Sequence, residues 1–430
     1  MTSNSKDRID RRTFLGSATG AAAGFMIMKS RTALGSQANS ALRMGLLGCG
    51  GRGTAEATSF IDNTNTRLVA LADLFPDQLE AARNHFNKHQ QAKGYPAIDG
   101  SQLFQGPDAY QQITASNALD FILIATPPYF HPLHLETVVA AGRHVYCEKP
   151  VAVDVPGAKH IVSIGEKAQG KLSLEVGFQL RSAPPYVELI RRIHGGALGR
   201  IGSGLAFYYC GQISRPEWPN ASPEESRLRN WVWDRTLSGD IIVEQNIHVI
   251  DLCNWTLGTH PVRALGSGSR KLRSDAGDAW DNFNCVFIYP DDIQVSFGST
   301  QVGKPAFDAG VNFFGAKGSS DAHYDHRVSI SGEEAWDARL PGSGPSQFSV
   351  TGTFQGAIDR ADAEKEKSFV ESITSGQFHN QAEQGAISAL TCMMGRTAAY
   401  TNKPVTWDDL MGSTEAWESG IDLEKLNYRG

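Results

Sequence analysis

From Leu42 onward the chain alternates short, continuous apolar runs with longer stretches whose apolar positions recur at helical spacing. Leu42–Leu47, Arg67–Ala72, Leu119–Ala125 and His144–Cys147 read as buried strands of a parallel sheet. Strands covered on both faces lose the alternation of half-exposed ones. Thr54–Ile61, Pro76–His89 and Leu133–Ala141 read as the helices between them. This order predicts an α/β domain of the Rossmann, doubly wound type over residues 41–168. From about Lys171 the pattern changes to strict alternation: Leu172–Val176, Ile201–Tyr209, Asn282–Tyr289 and Ile293–Phe297 predict a large, mainly antiparallel sheet. Residues 169–430 are therefore expected to form a second, α+β domain.

Residues 1–40 fit neither pattern. Arg11-Arg12-Thr13-Phe14-Leu15 leads into an uncharged run from Ser17 to Met28. That run is too short to cross a bilayer, which takes about 20 residues, but it suits a signal-peptide core. The segment resembles a twin-arginine export signal, with Asp10 where Ser or Thr is more usual and a small-x-small cleavage site at Ser36-Gln37-Ala38. The expectation is a protein exported to the periplasm, or otherwise out of the cytoplasm, by the twin-arginine export machinery and without a stable membrane anchor.

Composition narrows the partners. With 40 basic and 46 acidic residues in 430, the net charge is -6, and no long Lys/Arg run offers a footprint for phosphate backbones. Nucleic acid is an unexpected partner and a small molecule the expected one. Cys49, Cys147, Cys210, Cys253, Cys285 and Cys392 are scattered without a CxxC pair, so they read as buried thiols rather than disulfides or metal ligands.

The first apolar run ends in Gly48-Cys49-Gly50-Gly51-Arg52-Gly53, in the order strand, glycine turn, helix. The first glycine permits the tight turn, Gly50 and Gly51 let the backbone approach a pyrophosphate, and Gly53 lets helix pack on strand. Asp73 closes the second run, placed to accept the adenosine ribose hydroxyls and to repel a 2'-phosphate, which favours NAD over NADP. Thr126, Pro127 and His131 follow the third run, where strand ends face the ligand crevice; His131 could instead cap the next helix. Glu148-Lys149-Pro150 follows the fourth, and a lysine fixed there can hydrogen-bond a reacting oxygen.

In the second domain, Ser238 to Trp255 reads as one helix after its glycine, placing Glu244 and His248 four apart on one face with Asp251 and Trp255. A carboxylate one turn from a histidine would orient it as a proton acceptor, or the pair only stabilises the helix. Glu244, His248 and Asp251 could also ligate a metal, but no second histidine is near and no metal is expected. Trp218, Arg229, Trp231 and Trp233, in the polar segment before this helix, could line a carbohydrate site.

Taken in order, GCGGRG, Asp73, ATPPYFH, CEKP, VGFQLR and SGDIIVEQNIHVIDLCNW resemble the Gfo/Idh/MocA oxidoreductases, as do Phe313–Ser319 and Ala386–Met411 later on. The resemblance implies that Lys149 binds the reacting hydroxyl, His248 takes its proton, and Glu244 stands where many members have Asp. It also implies that Glu148 and Lys149 flank the nicotinamide and that Gln179 and Arg181 touch nicotinamide or substrate. Trp231, Trp233 and His248 complete the expected substrate set. The implied activity is hydride transfer from a secondary hydroxyl of a sugar, cyclitol or glycoside to NAD, in a homodimer or homotetramer. An alternative is an NAD-dependent glycosidase that oxidises transiently and eliminates; that branch lacks the EKP lysine, so Lys149 favours the dehydrogenase. Because NAD is scarce outside the cytoplasm, an exported enzyme is expected to hold its cofactor tightly.

Overall fold

The apolar runs of the first domain pair as parallel strands in the computed structural model, which describes residues 40–213, 216–274, 277–303, 307–324, 327–339, 358 and 360–426. The segment expected to be an export signal, with Arg11 and Arg12, lies outside the described residues. β1 (Leu42–Leu47), β2 (Thr66–Asp73), β3 (Leu103–Gln105), β4 (Phe121–Ile124), β5 (His144–Cys147) and β6 (Leu174–Val176) form one sheet in the order β3-β2-β1-β4-β5-β6. All its pairings are parallel. The order reverses between β1 and β4, which opens the crevice where a doubly wound sheet receives a ligand.

The segment Leu172–Val176 corrects the sequence expectation. It contributes β6 to the parallel sheet, with Val145, Tyr146 and Cys147 opposite Leu174, Glu175 and Val176, rather than a strand of the second sheet. Its short alternation misled because β6 is fully buried, so its polar Glu175 had to be internal too.

β7 (Ile201–Cys210), β8 (Arg263–Ser269), β9 (Asn282–Ile288), β10 (Gln294–Gln301), β11 (Asp308–Gly315), β12 (Gly318–His323), β13 (Val328–Gly332), β14 (Trp336–Asp337) and β15 (Val405–Thr406) form the second sheet. Its order is β14-β13-β12-β11-β7-β10-β9-β8-β15, antiparallel apart from the β7/β10 pair. The two faces differ, as the alternation requires: Ala206, Tyr208 and Cys210 are buried, whereas Leu205 and Tyr209 are 44% and 40% exposed. Helices Ile247–Leu257 and Ala382–Thr401 pack against this second sheet.

The stretch expected as one helix from Ser238 is broken. Gly239 and Asp240 take positive φ, helix Ile241–Glu244 stops at Gln245, and a second helix runs from Ile247 to Leu257. The first of these helices is pinned at its start by Asp240, whose carboxylate accepts from the Ile241 and Trp280 amides and from the Tyr400 hydroxyl. Two late segments return to the first domain. Phe369 of helix Ala361–Ser375 packs edge-on against Phe60, Phe121 and Tyr146. The tail after Met411 donates from Trp417 N to Asp154 and from Ser419 N to Tyr129 Oη. All six cysteines are buried and unpaired. Among the described residues no helix is long and apolar enough to cross a membrane.

Candidate active site

A cleft of about 520 Å³ runs along the strand ends of the first sheet and is closed on its other side by the second domain. At its base is the glycine turn. Gly48 has φ +99°, and a Cβ there would meet the Ala125 and Thr126 backbone within 2.8 Å; a Cβ on Gly53 would meet Gly48 O at 2.1 Å. Gly50 has open space where its Cβ would stand and faces the cleft, and helix Gly51–Asn63 begins there without a side-chain cap. Its first amides are thus left for an anionic ligand, which fits a pyrophosphate.

Asp73 lines the cleft at the end of β2, where it accepts from Cys49 N at 2.6 Å and Phe75 N at 2.9 Å. A carboxylate has about four acceptor sites, so two remain for a diol. Thr126 and Pro127 also line the cleft.

His131 does not. It is 1% exposed, and its ring nitrogens each lie 2.7 Å from a backbone carbonyl, of Pro150 and of Thr126. It braces the turn after β5 against the end of β4. The histidine of this segment that lines the cleft is His134, one helical turn on, beside the Thr126 hydroxyl at 3.0 Å.

Lys149, Glu244 and His248 come together from the two domains at the other end of the cleft. Lys149 Nζ donates to Glu244 O at 2.8 Å and to Glu244 Oε1 at 3.2 Å. This corrects the expected Glu244–His248 pair: the helix break between them removes the shared face, and the lysine takes the carboxylate. Burial, and then the positive charges of Lys149 and Arg52, hold the His248 imidazole well below its ordinary pKa. His248 is therefore neutral at pH 7 and able to accept a proton. Its Nδ1 is buried without a hydrogen-bond partner among the described residues, so Nε2 is the nitrogen left to meet a ligand.

Beneath these residues lies a buried charge cluster. Arg52 Nε donates to Glu148 Oε1 at 2.8 Å, and its guanidinium also reaches Glu56 and Asp362. Lys365, fully buried, lies 3.1 Å from Glu56 and 2.8 Å from Asp362. Burial pushes the Glu148 carboxyl up, but Arg52 and Lys365 outweigh it and hold Glu148 below the usual range. Gln179 lines the cleft, with its amide nitrogen 3.0 Å from Asp362 Oδ2.

Two expected substrate residues are placed elsewhere. Arg181 forms a bidentate pair with Asp251, at 2.9 and 3.0 Å, and lies over Trp255, which ties it to the His248 helix outside the cleft lining. Asp251 also accepts from Ser388. Trp231 packs against the apolar cluster of Phe75, Leu228 and Leu237, at the far end of the cleft. Trp233 does line the chemical end, the Arg273 guanidinium carbon 5.9 Å from its ring centroid, and its buried indole N–H has no partner among the described residues.

Gln245 lines the same end, and the sequence reading missed it. Arg273 can only donate, so the Gln301 oxygen must face it, at 2.7 Å. The Gln301 nitrogen then donates to Gln245 Oε1 at 3.2 Å, and the Cys210 thiol points to the same oxygen. The chain fixes the amide, leaving the Gln245 NH2 as the end free to donate into the cleft. Little in the local sequence marks Gln245 or Asp362, because the amide of Gln245 is set by Gln301, 56 residues on, and Asp362 meets Gln179 from 183 residues back.

A family model described as "Oxidoreductase family, NAD-binding Rossmann fold" matches residues 42–176, and one for the GFO/IDH/MocA C-terminal domain matches residues 186–336. Inositol 2-dehydrogenase of Rhizobium meliloti is 26% identical over 67% of this chain and 78% of its own. Among solved structures, myo-inositol 2-dehydrogenase from Lactobacillus plantarum aligns with a TM-score of 0.66 at 21% identity, covering 85% of this chain and 99% of that one. Levoglucosan dehydrogenase, solved with NADH and levoglucosan, gives 0.65 at 20% identity over 85% and 99%. The structural likenesses show a shared fold.

Proposed function

Because the chain belongs to the Gfo/Idh/MocA family of oxidoreductases, we propose that it is an NAD-dependent dehydrogenase acting on a secondary hydroxyl of a sugar, cyclitol or glycoside. The observation that carries the reading is the meeting of Lys149 with the neutral His248 in the cleft that the glycine turn and Asp73 line. The inositol 2-dehydrogenase relative supports the substrate class.

A bound nicotinamide would supply the hydride acceptor. Gly48, Gly50, Gly51 and Gly53, with the uncapped helix they open, would hold its pyrophosphate, and Asp73 its adenosine ribose. Lys149, kept in place by Glu244, donates a hydrogen bond to the reacting oxygen, and His248 takes the hydroxyl proton at Nε2. Gln245 offers a fixed donor to a second oxygen of the substrate. The carboxylate of Asp73 favours NAD over NADP, since a 2'-phosphate would bring a second negative charge beside it.

The reading extends to export by the twin-arginine route, on the strength of Arg11 and Arg12, and to a cofactor retained and recycled in place by a second substrate or a redox-neutral reaction. It extends also to a homodimer or homotetramer, for which the exposed sheet face with Leu205, Tyr209 and Phe314 is a suitable apolar contact.

The test is a panel of sugars and cyclitols read by nicotinamide absorbance. Lys149→Ala and His248→Ala should each lower turnover by about a hundredfold or more, the scale of a general acid-base group, while NADH affinity changes little. Near-parental turnover in His248→Ala would overturn the mechanism.

A further inference from the structure

The adenosine end of the cleft is bordered by the segment that carries Trp218 and Arg229 and by the C-terminal tail. Phe75 lies two residues beyond Asp73, so it marks where an adenine attached to that ribose would emerge. Over its ring lies Arg229 of the second domain, its guanidinium carbon 3.9 Å from the Phe75 centroid and 4.5 Å from that of Trp218. The same guanidinium is bidentate to Asp77 on the first domain, at 2.9 and 2.8 Å, and its Nε is held by Glu225 at 2.7 Å. Arg229 therefore stacks and ion-pairs at once, which fixes a planar group more firmly than either contact alone.

The tail seals the same end independently. Leu423 lines the cleft and packs into the apolar cluster around Phe75. The tail is held to both domains at Ser419, whose carbonyl accepts from Arg227 at 3.0 Å and whose amide donates to Tyr129 Oη at 3.3 Å.

We propose that Arg229 latches this segment and the tail over the adenosine end as a cover that keeps the dinucleotide bound between turnovers. The inference rests on the dinucleotide reading of the cleft and deepens it. A cofactor exchanged at every turnover would need this end to open each time, which means parting the Arg229–Asp77 fork and unstacking Arg229 from Phe75. A cover is a barrier in both directions, so removing the latch speeds entry as well as exit.

The experiment loads the full-length protein with NADH and follows nucleotide fluorescence, measuring release by displacement with excess NAD and uptake by rapid mixing. Arg229→Ala should release NADH at least tenfold faster than the parent and also take it up faster. Asp77→Asn removes the ion pair from a half-exposed position and should move both rates the same way by less, which keeps the test available if Arg229→Ala fails to fold. Release within twofold of the parent in the folded variants would overturn the proposal. Faster release with unchanged uptake would also overturn it, since Arg229 would then be an adenosine contact and no cover. A parent protein that releases no nucleotide on denaturation and takes up no NADH overturns the dinucleotide reading itself, whereas fast exchange in the parent overturns the cover alone.

Discussion

At one end of the cleft the side chains are charged and buried, and a network of ion pairs holds them: Arg52, Glu148, Lys149, Glu244, Asp362 and Lys365. At the other end the surroundings are aromatic and apolar, with Asp73, Asp77 and Arg229 placed among Phe75, Trp218, Trp231 and Leu423. The first end needs charges at defined places, and a buried charge persists only if it is paired. The second end needs area and enclosure, which aromatic rings and a crossing tail supply with few polar groups to satisfy. Chemistry and retention are thus served by different kinds of interaction within one cavity, and each can be disturbed while the other is left standing.

The largest such disturbance is at Lys365. Its ammonium is fully buried between Glu56 and Asp362, 5.1 Å from the Tyr146 ring centroid. Lys365→Met keeps most of the volume but leaves Glu56 and Asp362 to share Arg52, and breaking a buried pair costs up to about 3–5 kcal/mol. The denaturant midpoint should fall accordingly, and Arg229→Ala, at the other end, should cost far less. Equal losses would mean that the two ends do not differ in how they carry stability.

A smaller effect is expected at Asp73, on the adenosine side. Asp73→Ala removes hydrogen bonds to the ribose from a charged acceptor, worth about 1.5–3 kcal/mol in all, so NAD affinity should fall by about tenfold or more. NADP affinity should change little, and the gap between the two should narrow. Equal affinities for NAD and NADP in the parent would remove Asp73 as the discriminating group.

The same division explains what could be read from the sequence. The glycine turn, Asp73 and Lys149 were legible because each sits within a few residues of a buried strand, where chain order alone fixes position. His131 was misplaced by a single helical turn, since strand-end reasoning cannot tell which of two histidines, at 131 and 134, faces inward. Glu244 was assigned the wrong partner because a break at Gln245–Asn246 leaves no mark in the apolar spacing. The adenosine cover was not legible as such. Arg229 and Asp77 are 152 residues apart, and the tail that packs beside Phe75 carries no motif. The tryptophans near Arg229 did signal an aromatic lining, but Trp231 turned to the cofactor end while Trp233 stayed with the chemistry.

The subtlest test concerns Glu244, whose carboxylate acts on His248 through Lys149. Protonation of His248 removes the base, so activity falls as pH drops through its pKa, which burial and the Lys149 charge already hold below 6.5. Glu244→Gln releases the Lys149 ammonium from the carboxylate that anchors it and lets it approach the imidazole, so imidazolium becomes less favourable still, and the acid limb of kcat/KM should move to lower pH. Turnover at the optimum should fall by about tenfold or less, since Lys149 keeps its bond to the Glu244 carbonyl. The route of the effect is decided by the Lys149→Met background, with His248 followed directly by its NMR titration. There, with Arg52, Lys365 and Asp362 unaltered, adding Glu244→Gln should leave the titration where it was. A shift of the same size in both backgrounds would mean that Glu244 acts on the imidazole directly, restoring the pair that the helix break was taken to dissolve.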